Sequence, residues 1–369
     1  MDTKIITIQI PENNAVLKKQ QLNLLKPASD CLAKGGLVAF PTETVYGLGA
    51  DGLSGEAVAR IYEAKGRHAD NPLILHITRA EELNELAYVN DRALILAQAF
   101  WPGPLTIVLP KRDIVPNATT GGLETVAVRM PSHPAALELI EKSGVYVAAP
   151  SANASGRPSP TTAGHVMEDM KGKIDIIVDA GEVGIGIEST IVDVSNEIPV
   201  ILRPGFITKT MLEQVIGNVK FYSEPSHVAP ALAHQDFCLA PGMKYTHYAP
   251  KGELSIVEPI SKSGVFSEGD MERAIIEINY LSAQKRKEGY KTGILATAET
   301  YDKYKADLVL PVGERSNRET VAAKLYAALR KFDYADIQFI YSESFQGDDL
   351  GHAIMNRLLK AAGNRIIKI

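Results

Sequence analysis

The strongest constraint on this chain is a change of rhythm near Gly252. Upstream of it, short apolar runs crowd together at 37–40, 73–77, 106–109, 126–129, 145–148, 176–179, 189–193 and 200–202. Runs of that length, bounded by Gly, Pro, Asn and Ser, have the dimensions of strands. The first residues, MDTKIITIQI, alternate in the same way. A helix opens at Ser54 with Val58, Ile61 and Tyr62 on one face, and another covers 92–100 before the breaker Trp101-Pro-Gly-Pro104. Many strands and few long helices predict a large, partly antiparallel sheet with helices packed on it. Downstream, strands at 254–257, 292–296, 306–310 and 337–341 alternate with helices over 270–286, 318–332 and 352–362. That alternation predicts a small parallel α/β domain. The expected fold class is α/β: a twisted mixed sheet with helices, followed by a second, smaller parallel unit.

Between the two regimes the pattern fades. A helix over 208–216 gives way to Pro225, Pro230, Pro241 and Gly242 with little periodicity. Unstructured connections of about 30 residues are uncommon unless functional. The expected division is a first domain over 1–212, a linker over 213–247 that can serve as an active-site lid, and a second domain over 248–369. Two domains also suit 369 residues, at roughly 150 per domain.

Composition narrows the function. With 45% hydrophobic and 22% charged residues the chain is neither disordered nor collagen-like. It carries 39 basic against 44 acidic residues, a net charge of -5, whereas tight nucleic-acid binders show a basic excess. Cys31 and Cys238, its 2 cysteines, exclude a disulfide framework and a cysteine-based zinc site. No apolar run reaches about 18 residues, and the first residues lack the long apolar core of a signal peptide. No membrane association and a reducing cytoplasm are therefore expected.

Gly47-Leu-Gly49-Ala-Asp-Gly52 matches G-x-G-x-x-G. A dinucleotide fingerprint follows its strand directly, however, and here Pro41-Thr-Glu-Thr44 intervenes, so the segment reads as a glycine-rich turn. There is no G-x-x-x-x-G-K-[ST], no H-E-x-x-H and no G-x-S-x-G. The 8 histidines lack metal-ligand spacing, and no protein metal site is expected.

Four stretches do carry chemistry. Pro41-Thr42-Glu43-Thr44 follows a strand and offers two hydroxyls on a turn. Lys65, Arg67, Asn71 and His76 follow a helix end, and ammonium with guanidinium is a usual clamp for phosphate oxygens. Ala149-Pro150-Ser151-Ala152-Asn153, continuing to Ser155, Arg157 and Ser159, combines small residues with donors after an apolar strand. Finally Arg129, Glu188-Ser189-Thr190 and Arg203 put single polar groups on apolar strands. Lys65, Arg67, Arg129, Arg157 and Arg203 near strand termini point to a polyanion the size of a nucleoside triphosphate.

Taken in order, these motifs resemble the YrdC-like family. The resemblance rests on Phe40-Pro-Thr-Glu-Thr-Val-Tyr-Gly-Leu-Gly49, Lys65-x-Arg67 with Asn71-Pro-Leu73, Trp101-Pro-Gly-Pro-Leu-Thr106, Val128-Arg129-Met-Pro131, Ala149-Pro-Ser-Ala-Asn153, Glu188-Ser-Thr190 and Leu202-Arg-Pro-Gly205. Ala240-Pro-Gly-Met-Lys-Tyr-Thr-His-Tyr-Ala-Pro250 and Ala353-Ile-Met-Asn-Arg357 resemble the longer, two-domain members. One departure is His68, where many relatives carry proline.

The resemblance implies a twisted sheet with a positively charged concave face, then a Rossmann-like domain. It implies a nucleotidyl transfer from ATP, with L-threonine and bicarbonate or CO2 as the other substrates, giving L-threonylcarbamoyl-adenylate and pyrophosphate. A downstream threonylcarbamoyl-transferase complex would pass the group to tRNA, which this chain would meet only indirectly. By motif position, Thr44, His76, Arg129, Ala149 and Ser189 are expected on threonine or its carbamate. Arg67, Asn71, Thr125, Ser151, Ser159 and Arg203 are expected on the nucleotide, and Tyr245 is expected to reach over it from the linker. Lys65 and Asn153 are added as phosphate-side donors; Lys65, Arg67 and Arg129 are the candidate catalytic groups. Mg²⁺ is expected to arrive with ATP. The chemistry needs no protein nucleophile, and the sequence leaves the base open, with Glu188 as one candidate. Rival readings are an RNA-binding or ribosome-maturation protein, opposed by the net charge, and a carbamoyltransferase-like enzyme, opposed by the lack of cysteine clusters.

Overall fold

The computed structural model describes residues 2–10, 19–222, 239–241, 247–260, 266–345 and 349–369. The chain divides into two compact units. One takes in Met1–Ser155, Pro160–Gly184 and Glu188–Lys244; the other takes in Gly156–Ser159, Ile185–Ile187 and Tyr245–Ile369. The expected mixed α/β class is what the structure has.

The first unit is built on an 11-stranded sheet. In chain order its strands are β1 (Lys4–Thr7), β2 (Val38–Pro41), β3 (Tyr46–Asp51), β4 (Ile74–His76), β5 (Leu105–Pro110), β6 (Thr125–Arg129), β7 (Val147–Ala148), β8 (Ile176–Asp179), β9 (Thr190–Asp193), β10 (Val200–Arg203) and β11 (Lys220–Phe221). Their order across the sheet is β1-β8-β2-β3-β7-β4-β6-β5-β9-β10-β11. Directions are mixed: β4 runs parallel to β6 and β5 to β9, while β5 opposes β6 and β9 opposes β10.

Strand alternation sorts side chains onto two faces. Leu75, Val128, Ile107 and Val192 enter the main core, which also takes Val58 and Ile61 of the helix Gly55–Lys65. That helix starts where the Ser54 hydroxyl accepts the Ala57 amide and stops at Gly66 in the left-handed region, φ 61°. The opposite face of the same strands carries Ile74, Ala127, Val108, Ile191 and Leu202, a second and smaller apolar cluster.

One expectation is corrected here. Of the segment 47–52, read as a glycine-rich turn, residues up to Asp51 belong to strand β3, paired antiparallel with β2 from Val38↔Gly49 to Pro41↔Tyr46. The glycines are there for thickness. A methyl group on Gly49 would stand 2.8 Å from both the Phe40 ring and Val147, and one on Gly47 would stand 3.3 Å from the Ala149 methyl. The hairpin pairing also removes the βαβ context that a dinucleotide site needs.

The second unit holds β12 (Glu253–Glu258), β13 (Thr292–Ala296), β14 (Leu308–Pro311), β15 (Phe339–Glu343) and β16 (Ile366–Lys368). They form a parallel sheet in the order β14-β13-β15-β12-β16. The helices Glu268–Lys287, Arg318–Tyr334 and Asp349–Ala361 alternate with the strands. The sequence placed the fourth strand at 337–341, two residues early, and did not mark β16. Glu343, fully buried at the end of β15, is held by the hydroxyls of Thr300 and Tyr304 and by the Arg315 guanidinium. Among the described residues no helix is long and apolar enough to cross a membrane.

Candidate active site

A row of polar side chains crosses five adjacent strands at one end of the first sheet. His76 ends β4 and pairs in register with Arg129, which ends β6. On β5, Ile107 pairs with Val128, so one step on Arg129 comes opposite Thr106. Ser189, just before β9, shares a hydrogen bond of 2.8 Å with Thr106 through their hydroxyls. Arg203 ends β10 and donates from Nη2 to the Ser189 hydroxyl at 3.1 Å and from Nε to the Ser189 carbonyl at 3.1 Å. The strands run in mixed directions, and the row combines C-terminal ends of some with N-terminal ends of others. Next to it on the same face lies the apolar floor of Ile74, Ala127, Val108, Ile191 and Leu202, with Ala240 packed into that cluster.

The turn between β2 and β3 delivers the acidic end of the site. Thr42 accepts the Thr44 and Val45 amides at its hydroxyl, a side-chain-built turn. Thr44 in turn accepts from Arg129 Nη1 at 3.0 Å, and Arg129 Nε donates to the Gly103 carbonyl at 3.3 Å. Glu43 Oε1 stands 2.7 Å from Arg129 Nη2. The charges are adjacent but the hydrogen-bonding directions miss. Glu43 Oε1, Glu43 Oε2 and Arg129 Nη2 are buried without a hydrogen-bond partner among the described residues.

The imidazole beside this pair is neutral. Burial, and then the Arg129 charge, push His76 down to about 3. Its Nδ1 lies 3.1 Å from the Ile74 carbonyl, and its ring meets Phe40 edge-on at 6.3 Å between centroids. His133, which accepts the Ala135 amide at Nδ1 and so begins the helix Pro134–Ser143, is pushed down to about 4 by burial, against the opposing pull of Glu43.

A second group lies at the far end of β4 and β6. Arg67 Nη2 donates to Asn71 Oδ1 at 2.5 Å and to the Pro72 carbonyl at 3.0 Å. Thr125 begins β6, four residues from Arg129, or about 13 Å along an extended strand. The Lys65 ammonium is buried and donates to the carbonyls of Ser151 and Asn153. Ser151 Oγ donates to Asn153 Oδ1 at 2.6 Å. Lys65, expected on the phosphates, thus grips the loop that carries two of the expected donors. Ala149 continues β7 and donates its amide to the Ile74 carbonyl at 2.9 Å.

Comparison with known proteins fits this geometry. A family model described as telomere recombination (Sua5, YciO, YrdC) matches residues 30–205. One described as the C-terminal domain of threonylcarbamoyl-AMP synthase matches residues 207–363. The threonylcarbamoyl-AMP synthase of Bacillus subtilis is 49% identical over 344 residues, 92% of this chain and 93% of that protein. The chain belongs to the Sua5/YciO/YrdC family. The family's threonylcarbamoyl-AMP synthase from Pyrococcus abyssi is 47% identical over 346 residues, 94% of this chain and 96% of that protein. The crystal structure of P. abyssi Sua5 complexed with L-threonine superposes with a TM-score of 0.87 at 44% identity, covering 100% of both chains.

Against the family pattern, the structure gathers Thr44, His76, Arg129, Ser189 and Arg203 at one end of the sheet face. Arg67, Asn71 and Thr125 stand at the other end of β4 and β6. Ser159 is fully buried and groups with the second unit, as does Arg157, whose Nη2 lies 3.3 Å from Asp333 Oδ2. Arg157, one of the cations expected near a polyanion, has Asp333 as an ion-pair partner. Glu188, the base candidate, is buried. Tyr245 and most of the expected lid lie outside the described residues; of that stretch, the Pro241 carbonyl accepts from Arg203 Nη1 at 3.3 Å. Sequence reasoning missed Glu43 and Thr106, although both lie inside motifs it quoted. The signal for Thr106 was a hydroxyl near the start of an apolar strand; Glu43, on a turn between two threonines, carried none.

Proposed function

We propose that this chain is a nucleotidyltransferase that joins L-threonine, bicarbonate or CO2, and ATP into L-threonylcarbamoyl-AMP, releasing pyrophosphate. The observation that carries this reading is the polar row His76–Arg129–Thr106–Ser189–Arg203 beside an apolar floor, in a chain nearly half identical to synthases of that name. An amino acid needs a fixed cation for its carboxylate, and Arg129 with Thr44 offers one. A purine needs a flat apolar surface, and the floor with Ala127 at its centre offers one. Phosphates need guanidinium donors, and Arg67 and Arg203 are the candidates.

The reaction is attack of a carbamate oxygen on the α-phosphorus, with pyrophosphate as leaving group. No protein nucleophile takes part. Catalysis is alignment of two anions that repel each other, plus fixed donors for the charge that grows on the leaving group. Neutral His76 neither adds to nor cancels the Arg129 charge, and the carboxylate against that guanidinium is Glu43. Lys65, Ser151 and Asn153 then act as one unit: the ammonium fixes the loop, and the loop presents its hydroxyl and amide. Mg²⁺ would come with the triphosphate. The site's donors are guanidinium, ammonium, hydroxyl and amide groups, which suit phosphate oxygens, and among the described residues no group of three His, Cys, Asp or Glu side chains is placed to hold a metal ion. The product would leave for a transferase complex that modifies tRNA.

The deciding measurement is pyrophosphate release with ATP and bicarbonate, with and without L-threonine. Strict threonine dependence is expected. Release that ignores threonine, or none at all, would reject the reading.

A further inference from the structure

Glu43 poses a problem that the reaction above does not solve. Its side chain is 13% exposed and that of Arg129 is 5% exposed, and the two charges stand 2.7 Å apart. Yet neither Glu43 oxygen, nor Arg129 Nη2, makes a hydrogen bond within the described structure. Buried ionised groups left unsatisfied are costly, and native structures rarely keep them without a reason. Here a carboxylate and a guanidinium are ion-paired at 2.7 Å without a well-directed hydrogen bond, and the second Glu43 oxygen has no partner among the described residues. The neighbouring groups do not compete for Glu43 as cations: His133 is neutral, and Thr42 and Thr44 bond to each other.

We propose that Glu43 receives the α-ammonium of threonine while Arg129 beside it receives the α-carboxylate, so that the two residues together recognise an amino-acid zwitterion. This rests on the reading given under Proposed function and adds the residue that selects the amine. An α-amino acid carries its cation and anion on one carbon, the spacing that an adjacent carboxylate and guanidinium match. The arrangement also gives direction to the reaction. Bicarbonate converts the ammonium into a carbamate: a C–N bond forms, a C–O bond of bicarbonate breaks, and one water and one proton leave. The nitrogen substituent thereby changes from one positive to one negative charge. Glu43, which held the ammonium, now faces an anion and repels it. That repulsion turns the carbamate oxygens away from Glu43 and toward the cations on the phosphate side.

Calorimetric titration of L-threonine and of 2,3-dihydroxybutanoate tests this. The hydroxy acid keeps the carboxylate and the side-chain hydroxyl and replaces the ammonium by a hydroxyl. A hydrogen bond to a charged group is worth about a tenfold change in affinity or more. Wild type should prefer threonine to the hydroxy acid by at least about that factor. Glu43→Gln should lose threonine affinity about tenfold, hold the hydroxy acid nearly unchanged, and bind ATP as before. Glu43→Asp, which keeps the charge on a shorter stem, should recover part of the preference. Should Glu43→Gln fail to fold, Glu43→Asp decides alone, since it must weaken threonine more than the hydroxy acid. Equal loss of both ligands, unchanged threonine affinity, or no preference in wild type would overturn the assignment. If wild type shows no threonine-dependent pyrophosphate release, the functional reading itself has failed; normal release with an indifferent Glu43 variant rejects the Glu43 role alone.

Discussion

A fully buried glutamate in one unit and a mostly enclosed one in the other divide the molecule's chemistry between them. In the second unit both oxygens of Glu343 are engaged, Oε1 by the Thr300 and Tyr304 hydroxyls and Oε2 by Arg315. What stays open there is single donors, Arg315 Nε and the Ser344 hydroxyl. In the first unit Glu43 Oε1 is ion-paired with Arg129 at 2.7 Å, but neither Glu43 oxygen accepts a hydrogen bond among the described residues. A saturated network fixes three pieces of chain to one another and gains from low dielectric. An unsaturated pair pays for the same burial without that return, and makes sense only where a ligand completes it. Burial of charge does not distinguish a structural centre from a functional one; the unused directions do.

The contrast can be broken most decisively at Glu343. Replacing it in Glu343→Ala strands a tyrosine, a threonine and an arginine, and should cost about 4 kcal/mol of unfolding free energy in urea titration. Pyrophosphate release per folded molecule should hold; a fall in turnover at unchanged stability would mean that this network too serves catalysis. Arg129→Lys is the converse. The charge stays but the planar fork is lost, so release should drop about 100-fold, or about 2.7 kcal/mol, with little change in melting temperature. A melting loss without an activity loss would make the first pair structural.

Acidification sharpens the same comparison. His76 and His133 are neutral in the fold, with values near 3 and 4, and take up a proton on unfolding below about 6.5. The unfolded state then binds more protons, so their contribution is complete above pH 6.5 and is lost as pH falls toward those values. Each should add a slope of about 1.4 kcal/mol per pH unit between pH 4.5 and 6. His133→Asn, which keeps a capping side chain, should remove one of the two slopes; an unchanged profile would show that His133 is not the group responsible. The smallest effect is expected at Ser54→Ala, remote from both glutamates: about 1 kcal/mol of stability through the lost helix cap, and no change in turnover.

Much of this was legible beforehand because strands announce themselves by length and alternation. Val126-Ala-Val-Arg129 reads as a strand at sight, and its odd positions face the site. What could not be read was strand order. Only when β4, β6, β5, β9 and β10 stand side by side do His76, Arg129, Thr106, Ser189 and Arg203 become neighbours, and their separations along the chain say nothing of it. β3 escaped because glycine signals turns, yet here it serves close packing. The structural grip of Lys65 is hidden for a related reason. A lysine after a helix looks free to reach solvent or phosphate, and nothing local reveals two carbonyls from 151 and 153 waiting for it. Glu43 was passed over since a carboxylate beside two threonines looks like part of a turn.

The bare backbone at Gly49 has a further consequence. Phe40 lies where a side chain on that residue would be, and the edge of His76 stands against Phe40. One hydrogen atom thus sets how closely the Phe40 ring packs on β3. Any bulk added there would travel through the aromatic ring to the imidazole and on to Arg129, altering the size of guest that fits without touching a residue that holds it.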